Sequence, residues 1–203
     1  ELLRNLEGWP AGVRLAGQVL RSGASMAHVN DHVSLVDYLR SEWIGQLDQE
    51  DRTFLREIAC LQRFTGEQCD EVLERCGSGE LLRRLHRDQV IVFALDQRGE
   101  WFRMHGLLTR WLSAELRNAD LPRWTRIHLN AADYSQRSGD IDSAVMHARA
   151  AGDLEVLEAI VSVHGGQYFT IGRDATVEKW LEAFPPEHVL HSPGLNGLQC
   201  IKA

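Results

Sequence analysis

Between Gln89 and Met104 this chain leaves helical spacing for a strand pattern, and that interruption does most to limit its fold. Gln89-Val90-Ile91-Val92-Phe93-Ala94-Leu95 reads as a strand and Asp96-Gln97-Arg98-Gly99 as a turn. Glu100 to Met104 returns as a second strand, with Trp101 and Arg103 on one face and Phe102 and Met104 on the other. A lone hairpin is marginal in water, so the helices around it decide the architecture. Helical spacing resumes at once, with Leu107, Leu108, Trp111, Leu112 and Leu116 on one face. His105 stands at the hand-over, near a helix N-terminus, where backbone N–H groups and the helix dipole favour an anion such as phosphate. A structural, partly buried histidine is the alternative there.

The helices before the hairpin are short. From Pro10, Val13, Leu15, Ala16, Val19 and Leu20 mark a helix that Ser22-Gly23 stops, and Ala24 to Asp31 reads as a loop. A helix from about Ser34 to Gln46 places Leu35, Val36, Leu39, Trp43 and Leu47 on one side. The next is capped by Asp48 and turns Phe54, Leu55, Ile58 and Leu61 inward. Thr65 and Gln68 form a capping box for a third helix carrying Val72 and Leu73. Gly77-Ser78-Gly79 ends it, and Glu80 to His86 makes a fourth with Leu81, Leu82 and Leu85 buried. Short helices, a two-stranded wing and a further helix are the order of a winged-helix domain, expected over residues 34–119.

Pro122 opens a different regime. Helices from Pro122 to Arg137, Ile141 to Ala150 and Leu154 to Val163 are separated by Ser138-Gly139-Asp140 and Ala151-Gly152-Asp153, two joints 13 residues apart. In each, glycine can take the left-handed conformation that ends one helix while aspartate caps the next. Ala131, Ala132, Ala144, Ala148 and Ala151 permit close packing. A further helix runs from about Asp174 to Ala183, stopped by Pro185-Pro186, and another begins after Pro193. Paired helices of this length predict the start of a tetratricopeptide-like (TPR-like) α-solenoid over residues 120–203. The fold class is therefore mainly α: a winged helix with one small β-hairpin, then TPR-like helices.

Composition narrows the function. With 203 residues, 44% hydrophobic and 25% charged, the chain is expected to fold as an ordinary globular protein. Its clearest apolar run, Val90 to Leu95, is far short of the roughly 20 residues of a membrane span, and no secretory leader opens the chain, so a cytoplasmic location is expected. A formal charge of −7 opposes a whole-chain grip on nucleic acid. Charge is uneven, however: from Arg75 to Arg110 the arginines 75, 83, 84, 87, 98, 103 and 110 outnumber Glu80, Asp88, Asp96 and Glu100. Such a stretch suits a phosphate-bearing ligand or an acidic partner, or is a solvated face. Cys60, Cys69, Cys76 and Cys200 have neither zinc spacing nor a need for stapling and read as idle thiols. The chain starts without methionine in what reads as a helix end and closes in mid-helix, so a segment of a longer protein is expected.

No catalytic constellation is present, and no G-x-x-x-x-G-K-[ST], G-x-S-x-G, H-E-x-x-H or post-strand G-x-G-x-x-G occurs. The acids Glu50-Asp51 and Glu67, Asp70, Glu71 read as helix-start residues. His28 and His32 share helical spacing but read as loop residues without a third ligand, and His188 and His191 are expected to face solvent. The fourth helix, with Arg83, Arg84, His86 and Arg87, occupies the place of a DNA-reading helix. It is short and lacks the Asn, Gln, Ser or Thr residues of base readout, so an internal or partner-facing role is expected. Near the N-terminus, Gly8-Trp9-Pro10 opens a helix with a rigid apolar surface that needs no N–H partner, suited to packing on an aromatic base or simply a helix start.

Two stretches resemble a known family. Gly8-Trp9-Pro10-Ala11-Gly12-Val13-Arg14-Leu15-Ala16 resembles the G-x-P motif that closes the nucleotide-binding region of STAND-type signalling ATPases. Phe102-Arg103-Met104-His105-Gly106-Leu107-Leu108 resembles their M-H-D motif at the end of the winged helix. With Asp37-Tyr38-Leu39 and the stretch from Tyr134 to Asp153, the chain is most similar to the MalT-like group of LuxR-type transcription activators. The resemblance implies an ATP-dependent switch, with residues 1–33 the end of a nucleotide-binding module. Gly8 and Pro10 would lie at the base, His105 at the ADP β-phosphate, and an inducer or regulatory protein on the helical repeats. DNA would be bound only through a missing C-terminal domain, with self-association on activation. Gly106 departs from the motif, whose third residue is often acidic. The segment itself is expected to be no enzyme and to hold neither ATP nor ADP tightly, though the longer parent would be a slow signalling ATPase. A helical-repeat interaction scaffold without nucleotide contact is the alternative, and a stand-alone DNA-binding winged helix a third that fits the acidic charge poorly.

Overall fold

The computed structural model describes residues 44–87 and 92–201, which fall into two compact units. One ends at Asp120; the other runs from Leu121 and also takes in Glu71–Leu73. No described helix is long and apolar enough to cross a membrane.

The described residues of the first unit open with a 3-10 turn, Ile44–Gln46, and α1, Gln49–Ile58. Asp48 caps α1 as expected, its carboxylate accepting the Asp51 N–H at 2.7 Å. Then come β1 (Phe64–Thr65), α2 (Gly66–Leu73), α3 (Ser78–Arg87), β2 (Val92–Ala94), β3 (Trp101–Met104) and α4 (Gly106–Ala119). Among the described residues the sheet has three strands rather than two, in the order β1-β3-β2, all antiparallel. Two-residue β1 is too short to show alternation, and Thr65 also serves as the cap foreseen for α2, its hydroxyl accepting the Gln68 N–H at 3.1 Å. β2 ends one residue before the expected Leu95, and residues 88–91 lie outside the described ones. Pleating puts Phe64, Val92, Phe102 and Met104 on the inner face, all buried, as are Phe54, Leu55, Ile58, Leu82, Leu108 and Leu112 of the flanking segments.

α3 begins two residues before the expected Glu80. The carboxylate of Asp70 accepts the N–H groups of Gly77 and Ser78 at 3.2 and 2.8 Å, and Gly77 takes φ +84°. Asp70, expected to serve its own helix, therefore stabilises the start of the next. That turn brings the starts of α2 and α3 into contact: a Cβ on Gly66 would stand 2.5 Å from the Gly79 Cα, whereas one on Gly79 would meet only ordinary contacts from 3.7 Å.

The second unit is helical throughout its described residues: α5 (Leu121–Arg137), α6 (Ile141–Ala151), α7 (Leu154–Thr170), α8 (Asp174–Leu181), α9 (Pro186–His191) and α10 (Pro193–Ile201). Both Gly-Asp joints form as foreseen. Gly139 and Gly152 take φ +82° and +74°, Asp140 accepts the Ser143 N–H, and Asp153 accepts those of Glu155 and Val156. α7 runs seven residues past the expected Val163, through Gly165-Gly166. The glycine is a contact point and not a break, since a Cβ on Gly165 would stand 2.5 Å from Leu198 Cδ1 of α10, and one on Gly194 would stand 2.4 Å from Ser162 Oγ. Pro185-Pro186 stops α8, but Pro186 also starts α9, a helix absent from the sequence reading; at a helix start its missing N–H costs nothing.

Between α5 and α6 two histidines are buried against each other. Nδ1 of His128 and Nδ1 of His147 are 2.9 Å apart, so one donates and the other must be an unprotonated acceptor. The Trp124 ring centroid lies 4.2 Å from that of His128. Burial pushes His147 down to about 4, against a smaller opposing effect of Asp140.

Two stability predictions follow from these contacts. Gly66→Ala should lower unfolding stability by about 1–3 kcal/mol because backbone must move, while Gly79→Ala in helical α3 should be neutral or stabilising by up to about 1 kcal/mol; urea midpoints of the two variants give the comparison. Because His147 is harder to protonate folded than unfolded, its contribution is whole above its ordinary 6.5 and is lost as pH falls from there to about 4. Urea titrations should show a loss of about 3 kcal/mol over that window, and His147→Gln should remove that part of the slope.

Candidate functional site

Sheet geometry places His105. β3 is hydrogen-bonded on both sides, and its inward residues Phe102 and Met104 lead directly into His105, which is 2% exposed. The chain turns there into α4, and the His105 carbonyl accepts the Thr109 N–H at 2.9 Å, opening the helical ladder. The first turn of α4 carries no acidic residue, so the field of its N-terminus is not offset by a side chain of its own. The imidazole is thus enclosed at the start of α4, with almost no surface open to solvent. Gly8 and Pro10, the other two nucleotide-contact candidates, lie outside the described residues, as do His28, His32 and the helix foreseen from Pro10.

The α3 arginines divide. Arg84 extends to the buried carboxylate of Asp51 on α1, Nη2 to Oδ1 2.5 Å. The His86 imidazole turns inward, Nδ1 lying 3.1 Å from the Val92 carbonyl oxygen and the ring edge-on to Phe102. Arg83 and Arg87 are exposed. Two of the four residues that would face a DNA groove thus make contacts within the unit. The helix-start acids do more than offset a dipole: Asp51 holds Arg84, and Glu50 holds Arg75 at 3.1 Å, whose guanidinium lies 4.8 Å from the Phe54 ring centroid.

Cys60 and Cys69 are buried, Cys76 and Cys200 exposed, all four are unbridged, and burial pushes the Cys69 thiol far above its usual range. His188 corrects the expectation of a solvent-facing residue. Its Nε2 lies 2.7 Å from Glu158 Oε2, its ring stacks on Phe184, and the Ser192 hydroxyl donates to Glu158 Oε1 at 2.5 Å. The bonds from Ser192 and His188 hold the Glu158 carboxyl below its usual value. This cluster ties α7 to the α9–α10 turn; serine and histidine both address the carboxylate and not each other, so it is no nucleophile–base pair. Its members are 30 and 34 residues apart, and nothing local in the sequence announces them. The His128–His147 pair did leave a signal: each histidine sits among small residues on the apolar face of its helix, beside Ala131-Ala132 and Ala144-Ala148.

Comparison with known proteins agrees with the winged-helix order of the first unit. Residues 40–125 match the MalT winged helix domain family. The chain is 29% identical over 202 residues to the HTH-type transcriptional regulator MalT of Vibrio parahaemolyticus, covering 96% of this chain and 22% of that protein. The corresponding regulator of Cronobacter sakazakii is 29% identical over 210 residues, covering 98% of this chain and 23% of its own length. That of Vibrio cholerae is 27% identical over 203 residues, with 96% and 22% covered. The chain therefore spans about a fifth of the curated relatives it matches. The match to a winged helix family over residues 40–125 thus agrees with the sheet and helices described there, in a chain similar along nearly all its length to MalT transcriptional regulators.

Proposed function

We propose that this chain is the regulatory middle of a cytoplasmic MalT-like transcription activator, where it couples nucleotide state to sensing by the helices that follow. The observation that carries the reading is His105: a buried imidazole at the junction of the central strand and the unoffset start of α4, within the matched winged helix domain. His105 would contact the β-phosphate of a bound ADP and hold the resting state closed, with Gly8 and Pro10 at the base. A P-loop in a neighbouring domain of the longer protein would hold the remaining phosphates, and any ATP hydrolysis would belong there. α5 to α10 would be the first TPR-like repeats, on which an inducer or regulatory protein acts. DNA would be bound by a separate domain, and self-association would follow activation. Coupling requires only that nucleotide and partner each bind one of the two states more tightly.

In the full-length parent, His105→Ala should release ADP faster and raise basal transcription, each by about tenfold, the range of one lost charge-assisted hydrogen bond. His105→Asn, compared by thermal melting and ADP off-rate, separates loss of the contact from loss of packing. Unchanged ADP retention in variants that remain folded would overturn the contact and favour a repeat scaffold indifferent to nucleotide.

A further inference from the structure

α2 ends in a conformation that its own sequence does not favour. The Arg75 N–H reaches back to the Asp70 carbonyl at 2.9 Å, and Glu74 between them takes φ +58°. That is the left-handed close of a helix, a place glycine ordinarily fills, and among the described residues Glu74 is the only non-glycine with positive φ. A side chain stays in that region where its surroundings impose it. The last turn of α2 also has no basic residue of its own to meet its final carbonyls.

α5 supplies what α2 lacks. Arg123 Nη2 donates to the Leu73 carbonyl at 2.9 Å, Asn130 Nδ2 donates to the Val72 carbonyl at 2.9 Å, and Arg137 Nη2 pairs with the Glu71 carboxylate. Positions 123, 130 and 137 are seven apart, so they line one face of α5, and they take 73, 72 and 71 in turn. All six residues belong to the second unit. Asp70, one position earlier in α2, belongs to the first unit, where its carboxylate accepts the Gly77 and Ser78 N–H groups at the start of α3. Every hydrogen bond in this series thus lies inside one unit, and the backbone of α2 makes the passage from one to the other.

We propose that the end of α2 is a strained latch, held closed by the Arg123, Asn130 and Arg137 stripe of α5, through which the helical unit acts on the start of α3. With the stripe in place, the Val72 and Leu73 carbonyls are satisfied and Glu74 is kept left-handed. Without it, those acceptors return to water, the strain at Glu74 unwinds the last turn, and Asp70 loses the position from which it caps α3. Each bond of the stripe is individually modest, so a ligand that prefers a shifted α5 can open the latch by its differential affinity. The role of the latch in a longer regulator rests on the coupling proposed above; its existence in this chain does not.

The test is amide hydrogen exchange of the whole chain, read by NMR at Arg75, Gly77 and Ser78. Asn130→Ala and Arg123→Ala should each speed exchange at these amides by about tenfold, the range of one lost hydrogen bond. Adding Glu74→Gly to either variant should return most of the protection, because glycine holds the left-handed turn without the grip. Arg173→Ala, which breaks an exposed ion pair with Asp142 in the same unit, should leave the three amides unchanged. Glu74→Gly alone should raise the thermal midpoint, a reading that needs no weakened variant to fold. Unchanged exchange in folded Asn130→Ala and Arg123→Ala, no rescue by Glu74→Gly, or a midpoint that Glu74→Gly lowers or leaves unaltered would each overturn the latch. None of these readings involves nucleotide, so they stand or fall apart from the His105 contact.

Discussion

The winged helix domain depends on Phe102. It is the cross-strand partner of Phe64 on one side and of Ala94 on the other, and its side chain is 1% exposed. A strand paired on both edges can neither slip nor tilt without breaking two ladders, and a one-residue slip would expose Phe102 and Met104 and bury Trp101 and Arg103. The candidate site inherits its position from this constraint. His105 follows Met104 directly and so enters the interior at a fixed point, while Trp101 and Arg103 are held outward. Short β1 matters out of proportion to its length, because it makes β3 central instead of an edge strand.

In the helical unit the corresponding constraint is close approach. Gly165 and Gly194 let α10 settle on α7 at distances that a methyl group would not allow, and the Glu158, His188 and Ser192 cluster fastens the same region with hydrogen bonds. The His128–His147 contact supplies a polar tie between α5 and α6 that exists only while the accepting ring is unprotonated. A unit built this way is rigid where glycines and caps fix it, yet it contains groups whose pairing depends on charge.

Much of this was legible in the sequence, and the misses have specific causes. Capping is local, so Asp48, Thr65, Asp140 and Asp153 were readable from one or two neighbours. Burial by alternation was readable for Phe102 and Met104 because β3 shows period two over four residues. What escaped was non-local or ambiguous in sign. Two-residue β1 has no period, Asp70 caps across a turn into the next helix, Gly165 in α7 receives a leucine 33 positions away, and Pro186 starts a helix where a proline pair reads as a stop. At the site, the motif around His105 and its place at the strand–helix junction could be read directly, whereas its burial required the fold.

The proposed switch rests on one contact, between the His105 imidazole and a nucleotide phosphate supplied by the rest of a longer regulator. The structure of the full-length parent with ADP bound tests it most directly. The account predicts a ring nitrogen of His105 at about 2.7–3.2 Å from a β-phosphate oxygen, with α4 starting at the same point as here. An ADP-bound structure with His105 enclosed by protein alone, and the phosphates held wholly by other residues, would contradict it.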